Sequence, residues 1–390
     1  MSIEPFEIDI PQADLDDLHR RLTTTRWPDT VRPGWEDGAS VAYMQELCDY
    51  WADGYDWQAR EAYLNAFPQF TATAAGERVH FYHVRSPEPD ALPMVLIHGY
   101  MGSVVEFREM LGPLSDPAAH GGDPADAFHL VVPSLPGYGF SGPTANPGVD
   151  MHRCADAIAG VMEQLGYDRY IVQGGDWGAL VTRRMAEAYA DRLIAAHFNM
   201  LFAQPTAEES ADQAKVMEGV TEAEQAAMAR SFEVISGGTG YMAMLSTKPQ
   251  TLAMAHNDSP AGLAAWFIEK YQHWCDLEDG DLESVFTKDQ LLDNVMLYWI
   301  TGTAASSGRL YLESARTGTS ALDSWAGQIT VPTGHAAYPR ELLQTPRAWA
   351  ERRYNIVHWS VQPKGGHFAP FEQPELFTED LRAFGRLFRP

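Results

Sequence analysis

One short stretch near the middle of the chain constrains its architecture more than any other. Tyr170-Ile171-Val172 is apolar, Gly174-Gly175-Asp176-Trp177-Gly178 follows, and "ALVTRRMAEAYA" restarts at once with helical spacing. An apolar run that breaks into small residues and resumes as a helix is a strand-to-helix turn. Glycines around Asp176 allow the strained backbone that lifts one central side chain above the edge of a sheet. This is the small-x-nucleophile-x-small layout of a nucleophile elbow. Asp176 could also serve only as the N-cap of the next helix, which any Gly-Asp-x-Gly turn can supply.

The flanking chain has the matching pattern. "MVLIHG" (94–99), "FHLVVPS" (128–134), "YIVQGG" (170–175), "IAAHFNM" (194–200), "QITVPTG" (328–334) and "NIVHWSVQ" (355–362) are continuous apolar runs. Helical stretches at about 104–115, 151–165, 178–190 and 372–388 fill the gaps. Strands buried on both faces with helical crossovers predict an α/β fold, a doubly wound and mostly parallel sheet. The alternation stops once, between about 204 and 325, where "AGLAAWFIEKYQHW" and "DQLLDNVMLYWITGT" are helical in character. An insertion there would sit over the C-terminal ends of the strands, where α/β sites form, so a lid is expected.

Residues 1–90 read as a leader ahead of the sheet. Ile8-Asp9-Ile10-Pro11 suggests a short strand, and Leu15, Leu18 and Leu22 fall at helical spacing. "SVAYMQELCDYWADGYDWQAREAYLNAF" holds two further amphipathic helices, and "FTATAAGERVHFYHVRS" a hairpin turning at Ala75-Gly76. The expected division is a meander and hairpin at 1–90, a core in two parts at 91–203 and 326–390, and a helical lid at 204–325.

Composition narrows the partners. A chain of 390 residues accommodates one large α/β domain with an insertion. A net charge of -25 argues against nucleic acid and against an anionic membrane surface. Cys48, Cys154 and Cys275 are far apart, odd in number and match no metal spacing, which predicts free thiols in a reducing compartment. The first residues lack the apolar core of a secretion signal, and no apolar run approaches a membrane span. A cytoplasmic protein is expected.

The elbow sets the chemistry. In an esterase the central side chain is serine, whereas an aspartate attacks a saturated carbon and leaves an ester on the enzyme itself. That points to epoxides or alkyl halides. A base is then needed, and Gly365-Gly366-His367-Phe368-Ala369 follows the last strand pattern, in the third place of the order nucleophile, acid, histidine. For the orienting acid, "VPTGHAAYPREL" supplies Glu341; Glu313, Asp323 and Glu351 compete, but none sits just past a strand end. Oxyanion donors should be rigid backbone N–H groups. Those of Trp177 and of Tyr100, in His98-Gly99-Tyr100-Met101-Gly102-Ser103, are the candidates.

At this point the chain resembles the epoxide hydrolases of the microsomal and fungal type, α/β-hydrolases with an N-terminal helical meander. The matching stretches include "PFEIDIPQADLDDLHRRLTTTRWP", "HGYMGS", "HGGDPADAFHLVVPSLPGYGFS" and "GGDWGA", then "GYMAMLSTKPQT", "LYWITGTAASSGRLYLE", "YPRELLQTP" and "KGGHFAPFEQPE". They run in the family's order over nearly the whole chain, although "DWG" alone also occurs in haloalkane dehalogenases. The resemblance implies two lid tyrosines that bind the epoxide oxygen and supply a proton as the ring opens, Tyr241 in "GTGYMAML" and Tyr311 in "GRLYLE". It implies an epoxide and water as the reactants, a vicinal diol as the product, and no cofactor. Some relatives dimerise, so a homodimer is open. The motif His-Gly-x-Pro carries Met101 in place of proline here, which puts the aim of the Tyr100 N–H in question.

Methionines and aromatics in the lid ("YMAML", "LAAWF", "MLYW") lead to an expectation of a bulky, apolar epoxide. Bacterial members of this branch include tailoring enzymes of antibiotic pathways, enediyne ones among them, that act on aryl epoxides. A haloalkane dehalogenase is the alternative on the same fold; it would want a halide-binding Trp or Asn pair in place of the two tyrosines. A non-catalytic ligand-binding relative would lack a triad member or have its lid occluded.

Overall fold

The computed structural model describes residues 3–319 and 327–389. Its strands are β1 (Glu4–Phe6), β2 (Gln69–Ala74), β3 (Glu77–Val84), β4 (Leu92–Ile97), β5 (Phe128–Pro133), β6 (Tyr170–Gly174), β7 (Leu193–Phe198), β8 (Ile329–Ala337) and β9 (Tyr354–Val361). Among the described residues they form one sheet in the order β1-β2-β3-β5-β4-β6-β7-β8-β9. β1 to β3 and the β3–β5 contact are antiparallel, and every pair from β5 to β9 is parallel. Successive residues Val95, Leu96 and Ile97 in β4, and Ile171 and Val172 in β6, are all fully buried. Helices cover both faces there, so these strands carry no polar alternation.

The β2–β3 hairpin turns where expected. Ala75 and Gly76 both take positive φ, 49° and 79°, as a two-residue turn matched to the strand twist requires. The short strand expected at Ile8–Pro11 is not formed; β1 lies earlier, and that segment is irregular. Its amides are satisfied by side chains instead of a strand partner: Ile8 N–H donates to Asn65 Oδ1 at 3.0 Å and Ile10 N–H to Glu61 Oε2 at 2.9 Å. Pro11, which has no N–H to give a ladder, leads into the helix Gln12–Thr23.

Between β7 and β8 the described chain is helical, from Ala207 to Thr317. The far boundary expected at 325 lies outside the described residues. Two of these helices, Pro260–Trp274 and Lys288–Thr301, are buried along much of their length, through residues such as Phe267, Tyr271, Leu291 and Tyr298. The N-terminal meander grips the second of them. Arg60 Nε donates to Asp293 Oδ1 at 2.9 Å, Tyr55 Oη to the same oxygen at 2.8 Å, and Tyr50 Oη to Asp289 at 2.7 Å. The Asp293 side chain is 1% exposed, so removing its partner would leave a buried charge unpaired.

The chain leaves β4 toward β5 on one side and returns through β6 on the other. The crevice outside the carboxyl ends of β4 and β6 is the usual ligand position in such sheets.

Candidate active site

Asp176 stands at that crevice. β6 ends at Gly174, and the helix Asp176–Ala188 opens on Asp176 itself, which holds φ 48°. The turn closes this tightly because neighbouring positions lack side chains. A β-carbon on Gly178 would run into the Ile97 carbonyl, and one on Gly99 into the Asp176 carboxyl. The Tyr100 N–H donates to Asp176 Oδ1 at 2.7 Å. The Tyr100–Met101 peptide, where the related motif carries proline, is cis. Residues of the helical segment between β7 and β8 hold this loop: Asn294 Nδ2 donates to the Met101 carbonyl at 2.7 Å, Tyr298 Oη to the Gly102 carbonyl at 2.6 Å, and Trp266 Nε1 to Tyr100 Oη at 2.8 Å. The Trp177 N–H lies in the first turn of its helix, among amides that no intrahelical carbonyl takes.

Glu341 and His367 arrive from the ends of β8 and β9. Glu341 Oε1 meets His367 Nδ1 at 2.7 Å, and His367 Nε2 stands 3.5 Å from Asp176 Oδ2. Both members of the Glu341–His367 pair are nearly sealed, 2% and 1% exposed. Burial alone would lower the His367 imidazole, but the Glu341 charge and hydrogen bonds to Asp176 and Glu341 outweigh it and hold it well above its ordinary value. Of the competing acids, Glu313 pairs with Arg316 within the helix Ala304–Thr317 and Glu351 with Arg347 at the surface. Asp323 lies outside the described residues.

A cavity of about 390 Å³ opens over Asp176. Trp177, Tyr241 and Tyr311 line it together with apolar side chains such as Leu180, Met200 and Leu343. The Tyr311 ring stands edge-on to Trp177, centroids 4.7 Å apart, and to Tyr241 at 6.0 Å. Burial, and next the Asp176 charge, push the Tyr241 phenol up; burial does the same to Tyr311, with Tyr241 and Asp176 adding. Both phenols therefore stay protonated at neutral pH and can donate. A carboxylate with one oxygen on a backbone amide, an imidazole beside the other, and phenols across the same apolar cavity can attack carbon and protonate the oxygen that departs.

Several contributors are not apparent from the sequence alone. Glu372 accepts the N–H groups of Gly366 and Phe368, on either side of His367, and that of Asp276, each at 2.8–2.9 Å. It sets the loop that carries the imidazole, and burial, opposed by these three bonds, pushes its carboxyl up to about 7. The partner from Asp276 lies 96 residues away, beyond any local signal. Glu106 and Asn199 lie close behind Asp176. Ser103-x-x-Glu106 is a visible capping pattern. Among the described residues, the group with metal-ligand spacing is His197, His358 and Asp380. There Asp380 already takes His197 Nε2 at 2.8 Å and His358 Nε2 at 3.0 Å, so the candidate ligand atoms satisfy one another.

Known proteins resemble this chain over nearly its whole length. Residues 3–107 match the family described as epoxide hydrolase N terminus, and residues 93–273 the alpha/beta hydrolase fold. Epoxide hydrolase 1 of Sus scrofa is 35% identical over 98% of this chain and 88% of its own length. The chain belongs to the epoxide hydrolases. A Stigmatella aurantiaca protein, provisionally named an epoxide hydrolase, is 43% identical over 99% of this chain and 86% of that one. The crystal structure of the juvenile hormone epoxide hydrolase of Bombyx mori superposes with a TM-score of 0.90 at 34% identity, covering 100% of this chain and 95% of that one. Hydrolysis of an epoxide to a diol through an aspartyl ester is the reaction of this family. No helix among the described residues of this epoxide hydrolase is long and apolar enough to cross a membrane.

Proposed function

We propose that Asp176 is the nucleophile of a two-step epoxide hydrolysis on a bulky, apolar substrate. The Asp176 carboxylate attacks an epoxide carbon while Tyr241 and Tyr311 donate to the ring oxygen and one of them protonates it, giving a hydroxyalkyl ester. Water then adds to the Asp176 carbonyl carbon as His367 Nε2 takes its proton, and Glu341 stabilises the imidazolium through Nδ1. The Tyr100 and Trp177 N–H groups hold the oxyanion. The carbon–oxygen bond to the former substrate breaks, His367 returns a proton to the leaving oxygen, and the diol departs.

The observation that carries this reading is the carboxylate of Asp176 between the Tyr100 N–H and His367 Nε2, within a cavity that also presents two phenols. Two donors suited to an alkoxide favour an epoxide over a haloalkane. The largely apolar lining supports a substrate without charge near the reacting carbon. Three buried, unpaired cysteines support a reducing, cytoplasmic setting. Light scattering decides between a monomer and the homodimer that some relatives form.

The direct test offers the purified protein styrene oxide and a haloalkane side by side. Diol from the first with no halide release from the second is expected. Halide release without diol overturns the proposal.

A further inference from the structure

A second, much smaller space adjoins Asp176. Its volume is about 10 Å³, and it shares only Asp176 with the lining of the substrate cavity. That is the room one water molecule needs, provided two to four polar groups surround it. The polar side chains here are Asp176, His367, Glu106, Asn199, His98 and Tyr100. Both His98 ring nitrogens are already bonded, Nδ1 to the Gly99 carbonyl at 2.9 Å and Nε2 to the Leu135 N–H at 3.1 Å, and Tyr100 Oη accepts from Trp266 Nε1 at 2.8 Å. Asn199 Oδ1 already accepts from Gln173 Nε2 at 2.8 Å.

Glu106 is the unusual member. It lies on the turn Val104–Met110 and is 6% exposed. One role for it is ordinary: its carboxyl accepts the Ser103 N–H, while Ser103 Oγ accepts from Val105 N–H at 3.2 Å, so the pair caps the turn. Capping occupies one carboxyl oxygen. It does not require a carboxyl sealed into the same space as His367 and Asp176, where burial pushes it up to about 8 while the His367 charge pulls it back. The neighbouring backbone makes room for it, since a β-carbon on Gly102 would run into the Glu106 carboxyl.

We propose that this small cavity holds the water that hydrolyses the enzyme ester, and that Glu106 orients it. The water donates one hydrogen to His367 Nε2 and the other to the Glu106 oxygen that Ser103 leaves free. Its lone pair is thereby turned toward Asp176 Cγ. As the new carbon–oxygen bond forms, His367 takes the first proton. Collapse of the tetrahedral intermediate breaks the bond from Cγ to the substrate-bound oxygen, which takes that proton from His367 and leaves as the diol. The second proton of the water returns through solvent to the tyrosinate left by ring opening.

The inference rests on Asp176 and His367 acting as proposed above, and the two can be tested separately. In Glu106→Gln the single amide oxygen can still cap Ser103, so the fold is retained, but the amide nitrogen presents a donor where the water needs an acceptor. With enzyme in excess over styrene oxide, ester formation and ester breakdown are followed by intact mass. Formation is expected within about 2-fold of wild type, and breakdown about 10- to 100-fold slower, with ester accumulating. Breakdown at the wild-type rate overturns the proposal. So does a parallel fall in both steps, which is the signature of a loop displaced by a lost cap. If wild-type enzyme never carries the ester on Asp176, the proposed nucleophile falls as well.

Discussion

Replacing Glu341 by Gln isolates the contribution of a charge that the site buries. Oε1 of Glu341 accepts from both His367 Nδ1, at 2.7 Å, and the Leu342 N–H, at 2.6 Å. Oε2 is buried with no hydrogen-bond partner among the described residues. The Leu342 N–H demands an acceptor, so the amide oxygen of the variant should take the Oε1 position and preserve the imidazole tautomer. What is lost is the charge: a hydrogen bond to a charged group contributes about 1.5–3 kcal/mol, which corresponds to roughly 10- to 150-fold in ester breakdown. Ester formation should change little, because Asp176 needs no base to become nucleophilic. The amide nitrogen, left unpaired at the Oε2 position, should lower folding stability by about 1–3 kcal/mol. Single-turnover kinetics with excess enzyme separates the two steps, and urea titration reads the stability. Equal slowing of both steps would refute the assignment of Glu341 to the imidazole. A loss near 10⁴-fold in breakdown alone would instead mean that the amide has flipped and moved the proton to Nε2.

Other perturbations reach other parts of the site. Tyr241→Phe and Tyr311→Phe should each slow ester formation by about 100-fold and leave breakdown unchanged, since each phenol faces the oxygen only during ring opening; equal loss in both steps would make the phenols structural. In the free enzyme His367 is held well above its ordinary value by Glu341 and Asp176, and esterification removes the Asp176 charge. Ester breakdown, which needs the neutral imidazole, should rise with pH through a midpoint below that of His367 in the free enzyme as read by NMR; coincident midpoints would contradict this. Gly178→Ala places a β-carbon against the Ile97 carbonyl and should cost about 1–3 kcal/mol in urea unfolding, with unchanged stability showing that the elbow tolerates the contact.

The parts of this enzyme that are legible in its sequence are those specified locally. The elbow is written in consecutive residues, because Gly174, Gly178 and Asp176 each answer to a contact or a dihedral inside one turn. The parallel strands stand out because burial on both faces leaves no polar alternation to blur them. His367 is visible through the two glycines before it, and Glu341 through its place after β8. Tyr241 and Tyr311 stand out only through the family motif, since nothing local distinguishes them from other packed tyrosines. The rest depends on pairs distant in sequence. Glu372 binds backbone on two separate loops, and Asn294 and Tyr298 hold carbonyls 193 and 196 residues away. Ile8–Pro11 has the composition of a strand, but Asn65 and Glu61 take its amides before a neighbouring strand can. Met101 does not itself reveal the loop conformation, and the groups that hold the Met101 and Gly102 carbonyls, Asn294 and Tyr298, are far away in sequence.

The central claim is that Asp176 itself supplies the oxygen first transferred to substrate. It is tested by a single turnover of styrene oxide in ¹⁸O-water with enzyme in excess, followed by mass analysis of the diol and of the peptide containing Asp176. Attack by Asp176 predicts an unlabelled diol from this first turnover and one ¹⁸O in the Asp176 carboxyl. A labelled diol with unlabelled Asp176 would mean that water attacks the epoxide directly, and would contradict the account.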